Sequence, residues 1–129
     1  MSFFGFGNRT IVSTGQTGST AAMTTATLLA EIDINSSMAT ARAGGEPWLV
    51  NWIVGAGTTQ VIYLLEHTLS TGLDMSTAGR EQIPVFLSSG QTAQYVSKHQ
   101  VFPGDRFRVR VESTVTGRGA ATIFAEPLA

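Results

Sequence analysis

The groups able to move protons or hold a metal are few: His67, His99 and nine carboxylates in a chain of 129 residues without cysteine. Metal-dependent β enzymes typically present a His-x-His pair with a Glu a few residues on. Here Glu66 and His67 are sequence neighbours, and on a strand they point to opposite faces. His99 lies in a different segment with no carboxylate close to it in sequence. A metal enzyme would need the fold to bring His67, His99 and a carboxylate within a few ångströms. Otherwise both histidines read as ordinary polar strand residues.

The remaining catalytic patterns are incomplete. Gly55-Ala56-Gly57 follows an apolar strand as a dinucleotide loop does, but Gln60 stands where the third glycine belongs and no βαβ unit follows. Gly15-Gln16-Thr17-Gly18-Ser19-Thr20 lacks the lysine of a phosphate loop and reads as a turn. There is no Gly-x-Ser-x-Gly elbow. The acids are scattered over turns and strand edges, the pattern of a solvated surface more than of a glycosidase pair. The expectation is a protein with no catalytic, cofactor-binding or metal-binding residues, which works by binding other proteins.

Binding features are easier to find. Arg106, Arg108 and Arg110 place three guanidinium groups on one strand face about 7 Å apart. Lys98 is the only lysine, so arginine, which favours interfaces, supplies the rest of the positive charge. Either Glu112 and acids on neighbouring strands balance this row, or it meets an acidic partner surface. Phosphate or nucleic-acid binding lacks the aromatic interleaving it would need there. Phe3, Phe4 and Phe6 alternate with Gly5 and Gly7 in a flexible arm over residues 1–8. Those rings either fold back on the core or insert into a neighbouring subunit. Phe3, Phe4, Phe6, Arg9, Arg106, Arg108 and Arg110 are the candidate partner-interface residues. Trp48 and Trp52 read as core, since a sugar-stacking platform would require an exposed face.

Bulk composition agrees with a binding role. A net charge of −1 excludes general electrostatic attraction to nucleic acid or anionic membrane as the driving force. Charged residues make up 13% of the chain, against roughly 25% in a typical domain. Either serine and threonine keep the surface polar, or partners cover part of it. The start, Met1-Ser2-Phe3-Phe4-Gly5-Phe6, has no basic region and no apolar run of a secretory signal. No stretch approaches a membrane span in length.

The elements that must position these residues are short, β-branched and bounded by Gly, Pro, Ser or Asp. Eight strands are expected, at residues 9–14, 24–34, 48–54, 58–69, 82–87, 93–101, 106–115 and 120–125. In the second, Leu28, Ala30, Ile32 and Ile34 share one face, with Glu31 and Asp33 opposite. In the third, Trp48, Val50, Trp52 and Val54 point one way. In the seventh, Phe107, Val109, Val111 and Val115 point inward and the arginines outward. The fourth also fits helical spacing, but its β-branched residues favour strand. Even spacing with turns between indicates one all-β domain over residues 9–129, an antiparallel β-sandwich or jelly roll of about eight strands behind the amino-terminal arm.

Four stretches carry a family resemblance. These are Pro47-Trp48-Leu49-Val50-Asn51-Trp52-Ile53-Val54, Leu65-Glu66-His67-Thr68-Leu69-Ser70-Thr71-Gly72, Phe102-Pro103-Gly104-Asp105-Arg106-Phe107-Arg108-Val109 and Ile123-Phe124-Ala125-Glu126-Pro127-Leu128. Over residues 45–129 the chain resembles small tailed-phage virion proteins, most nearly the capsid decoration (cement) proteins of β-sandwich or jelly-roll type. The resemblance implies a homo-oligomer, favouring a trimer, assembled in the host cytoplasm. It would bind the major capsid protein on the outer head surface, stabilising the head, with no cofactor and no nucleic acid or membrane contact. A carbohydrate- or receptor-binding module of a phage fibre or tail is the alternative.

Overall fold

The computed structural model describes residues 11–16, 22–23, 28–34, 44–57, 59–69, 80–112, 115–116 and 119–128. The arm, with Phe3, Phe4, Phe6 and Arg9, lies outside them. Among the described residues ten strands form: β1 (Ile11–Gln16), β2 (Ala22–Met23), β3 (Leu28–Asp33), β4 (Glu46–Ala56), β5 (Val61–Thr68), β6 (Arg80–Leu87), β7 (Thr92–Val101), β8 (Arg106–Val111), β9 (Val115–Thr116) and β10 (Gly119–Pro127). The segment that also fitted helical spacing is strand β5, as its β-branched residues favour.

Eight of these strands build two four-stranded antiparallel sheets, ordered β1-β10-β4-β7 and β3-β8-β5-β6, while β2 and β9 pair separately. Among the eight, only β5 and β6 are both consecutive and hydrogen-bonded to each other; every other connection crosses from one sheet to the other. That is the strand order of a jelly roll.

The alternation read in the sequence sets the core. Trp48, Val50, Trp52 and Val54 of β4 are at most 1% exposed and face Tyr63 and Leu65 of β5 and Phe107, Val109 and Val111 of β8. Each such side chain contributes about 1.5–3 kcal/mol by leaving water. The Tyr63 hydroxyl, which burial pushes above its ordinary pKa against the opposing effect of the Ala120 backbone, donates to the Gly55 carbonyl oxygen at 2.7 Å.

The two long edges of the sandwich close differently. On one side β1 meets β3: the Ser13 hydroxyl accepts the Glu31 N–H at 3.1 Å, and an added Cβ at Gly15 would lie 1.6 Å from the Leu29 carbonyl oxygen. On the other side lie β7 and β6, the edges of their sheets. There the inward-facing Tyr95 of β7 is still 41% exposed.

Two expected strands are corrected. In β3 the register shifts between Leu28 and Ala30, so Leu28 turns outward (44% exposed) and Leu29 is buried in its place. A bulge adds one residue and reverses the alternation beyond it. The strand expected to reach Val115 ends at Val111; the Glu112 N–H bonds to the Ile62 carbonyl oxygen, and Val115 belongs to the separate strand β9.

Candidate functional site

At the β6–β7 edge the fold assembles a cluster from four separate segments. Alternation along β5 puts His67 on the inner face with Leu65, Tyr63 and Val61. Antiparallel pairing sets Glu81 of β6 directly opposite His67. From the other sheet, β7 contributes His99 and Ser97, and the β7–β8 turn contributes Asp105.

That turn is built by its sequence. Asp105 N–H donates to the Phe102 carbonyl oxygen at 3.1 Å, with Pro103 at the first central position and Gly104 at φ 96° at the second. This is the dihedral demand of a type II turn, which glycine meets without strain. The turn is anchored to the end of β3, because Ile34 N–H donates to the Asp105 carbonyl oxygen at 2.8 Å and Gly104 N–H to that of Ile34. Asp105, fully buried, also accepts the Phe102 N–H on its Oδ2 at 3.1 Å.

The hydrogen bonds form one chain. His67 Nε2 meets Asp105 Oδ2 at 2.9 Å, and its Nδ1 meets Glu81 Oε1 at 2.6 Å. The same Glu81 oxygen lies 3.3 Å from His99 Nδ1. His99 Nε2 is 2.8 Å from Ser97 Oγ, which accepts the Trp52 indole N–H at 2.8 Å. Aromatic packing fixes both imidazoles. His67 stacks on Phe107 at a centroid distance of 4.6 Å and 14° between planes, and His99 sits edge-on to Phe107 at 5.1 Å and to His67 at 4.8 Å.

Burial and charge act together here. The His67 and His99 side chains are 2% and 8% exposed, whereas that of Glu81 is 62% exposed, so the cluster opens to solvent through its carboxylate. Burial, and then the neighbouring His67, depress the His99 pKa; Glu81 opposes them without prevailing. Burial pushes the Glu81 carboxyl up, but hydrogen bonds and charge from His67 and His99 outweigh it and hold it below its ordinary value. One ligand atom each of His67, His99 and Glu81 lies within 4.8 Å of the others, a set able to hold a metal ion. The histidines are therefore not ordinary polar strand residues. Sequence reading missed the cluster because the carboxylates that matter, Glu81 and Asp105, are distant in sequence from the histidine each serves. The signal available was Asp105 closing a Pro-Gly turn.

Of the expected interface residues, only the three arginines of β8 are among the described residues, and they lie elsewhere. Arg106, Arg108 and Arg110 form a row on the outer face of the β3-β8-β5-β6 sheet, and acids of neighbouring strands balance it. Arg106 Nε is 3.0 Å from Asp33 Oδ1. Arg108 reaches Glu66 at 3.4 Å and Glu31 at 3.9 Å, and Arg110 reaches Glu66 at 3.6 Å. Glu66 is fully buried although alternation places it on this outer face. Glu112 is exposed just past the end of β8.

The outer face of the other sheet is different. Register aligns Val12, Phe124, Asn51 and Val96 in one row across all four strands, and Thr14, Thr122, Ile53 and Gln94 in the next. Neither row holds a charge, and Val12 (55%), Ile53 (43%) and Val96 (58%) are exposed. Charge returns in the row Glu126, Leu49, Lys98. Trp48 and Trp52 are buried as expected and offer no platform for a sugar.

No protein-family model matches the chain, and no curated protein matches it. Solved structures do. The globular domain of zebrafish complement 1qA protein aligns with a TM-score of 0.53 at 9% identity, covering 92% of this chain and 97% of that one. A chain in a structure of deformed wing virus aligns with a TM-score of 0.48 at 5% identity, covering 98% of this chain and 46% of that one. The Clostridium thermocellum xylanase 10B CBM22-1–GH10 structure gives 0.46 at 12% identity, over 90% of this chain and 26% of that one. At such identities the likeness to the zebrafish domain is one of fold: a jelly roll of this size.

Proposed function

We propose that this chain is a virion structural protein, a capsid decoration protein that binds the outer surface of the head as a homo-oligomer, favouring a trimer. The observation that carries this reading is a pair of charge-free rows on the outer face of the β1-β10-β4-β7 sheet, where Val12, Ile53 and Val96 stand exposed. A soluble monomer ordinarily intersperses charge over such a face, and exposed apolar side chains among neutral polar ones suit a contact with another protein. The low overall charge and the resemblance to cement proteins point the same way. Many copies engaging a lattice together would raise avidity well above single-site affinity.

Native mass in solution, with co-sedimentation on undecorated tailed-phage heads, tests the reading. Oligomers that pellet with heads are expected, and replacing Ile53 and Val96 by lysine should abolish pelleting without lowering thermal stability. Deleting residues 1–8 should leave the fold intact and weaken assembly or head binding. A monomer that stays in the supernatant with every head tried sinks the proposal. The carbohydrate-binding alternative is weakened, because both tryptophans are buried.

A further inference from the structure

We propose that His67, Glu81 and His99 bind one divalent transition-metal ion of the zinc class, clamping the two sheets together at their open edge. The proposal is independent of the capsid reading.

Three observations carry it. The first is convergence. His67 Nδ1 and His99 Nδ1 approach the same Glu81 oxygen at 2.6 and 3.3 Å, and all three donors fit within 4.8 Å. Ligands about 2.1 Å from a tetrahedral ion sit about 3.4 Å from one another, so sub-ångström to ångström shifts admit the ion. The two Glu81 distances already lie within an ångström of that spacing, so the shift required is between the two imidazoles, which must close from 4.8 Å by about an ångström.

The second observation is orientation. Metal-ligating histidines almost always have their other ring nitrogen held by a carboxylate, carbonyl or similar partner. Here His67 Nε2 is held by the buried Asp105 carboxylate and His99 Nε2 by the Ser97 hydroxyl, itself fixed by the Trp52 N–H. An ionised carboxylate can only accept, so Asp105 takes the Nε2 proton of His67. Nδ1 is then left either to carry a second proton toward Glu81 or to offer its lone pair to a metal. The Phe107 stack holds the ring in that pose.

The third is the donor set. Two imidazoles and one carboxylate, with no thiolate, suit zinc and its neighbours over calcium or magnesium, which prefer all-oxygen shells. Three protein ligands leave a fourth position for water or an incoming group on the solvent side, where Glu81 is exposed.

The same atoms also include Ser97, His99 and Glu81 in the order of a hydrolytic triad. That arrangement leaves two features unexplained: Ser97 Oγ is occupied by the Trp52 N–H, and Glu81 shares one oxygen between two imidazoles. A metal accounts for both. It also suits the position, since β6 and β7 are sheet edges with no backbone ladder between them.

The test uses the full chain without an affinity tag, stripped by a chelator, then titrated with Zn2+ by calorimetry and with Co2+ by visible absorption. One ion per chain is expected, with Co2+ d–d bands of a four- or five-coordinate site and a higher thermal midpoint in Zn2+. Mg2+ and Ca2+ should not displace the Co2+ signal. Glu81→Gln and His99→Gln should each weaken Zn2+ binding at least about tenfold. Because Glu81 is exposed, the metal-free Glu81→Gln protein should remain folded and carry the comparison even where His99→Gln does not. No saturable binding at millimolar Zn2+, or equal affinity in the wild type and Glu81→Gln, would overturn the proposal.

Discussion

Asp105→Ala is expected to be among the most costly single changes in this protein, and its cost can be worked from the structure. The carboxylate is fully buried, and its Oδ2 accepts from both Phe102 N–H and His67 Nε2. Truncation leaves two donors in the interior without their acceptor. Each such donor costs about 1–3 kcal/mol, so the loss should be about 4 kcal/mol, against a total stability of about 5–15 kcal/mol for a domain. Asp105→Asn separates charge from geometry. One amide oxygen in the place of Oδ2 keeps both hydrogen bonds, removes the charge and puts a donor NH2 where Oδ1 was, so its loss should be about 1–3 kcal/mol. Urea unfolding monitored by Trp fluorescence, in the presence of a chelator, measures both. An alanine variant within about 1 kcal/mol of wild type would refute the claim that Asp105 ties the β7–β8 turn to the histidine cluster. An asparagine variant as unstable as alanine would show that the charge or the second oxygen, and not the paired geometry at Oδ2, dominates.

Two other perturbations probe other parts of the fold. Gly15→Ala places a Cβ against the Leu29 backbone oxygen, which cannot move aside as a side chain would, so β1 must separate from β3; a loss above about 2 kcal/mol by thermal unfolding is expected. In the arginine row, Arg106→Ala removes an exposed pair and should cost less than about 1 kcal/mol. Arg108→Ala strips a cation from the fully buried Glu66 and should cost about 3 kcal/mol, a contrast that urea midpoints for the two variants will show or deny.

The sequence by itself determined the strands and most of their faces. Period-two alternation is a local property, and the pleat turns it directly into inside and outside, as at Trp48, Val50, Trp52 and Val54 and at Phe107, Val109 and Val111. Pro103-Gly104 likewise announced its turn, because its dihedral preferences belong to the residues themselves. Alternation failed where a non-local constraint entered. The bulge at Leu28 reversed a face, and Glu66 came to lie buried on a face whose pattern reads as outward. The histidine cluster is the extreme case. His67 meets Glu81 across 14 residues through strand register, His99 meets Glu81 across 18 by the crossing between sheets, and Asp105 reaches His67 across 38. Residue types could say only that two imidazoles and some carboxylates existed. Which of them share a site was decided by jelly-roll closure, which sets strands of opposite sheets edge to edge and aims their side chains at one point.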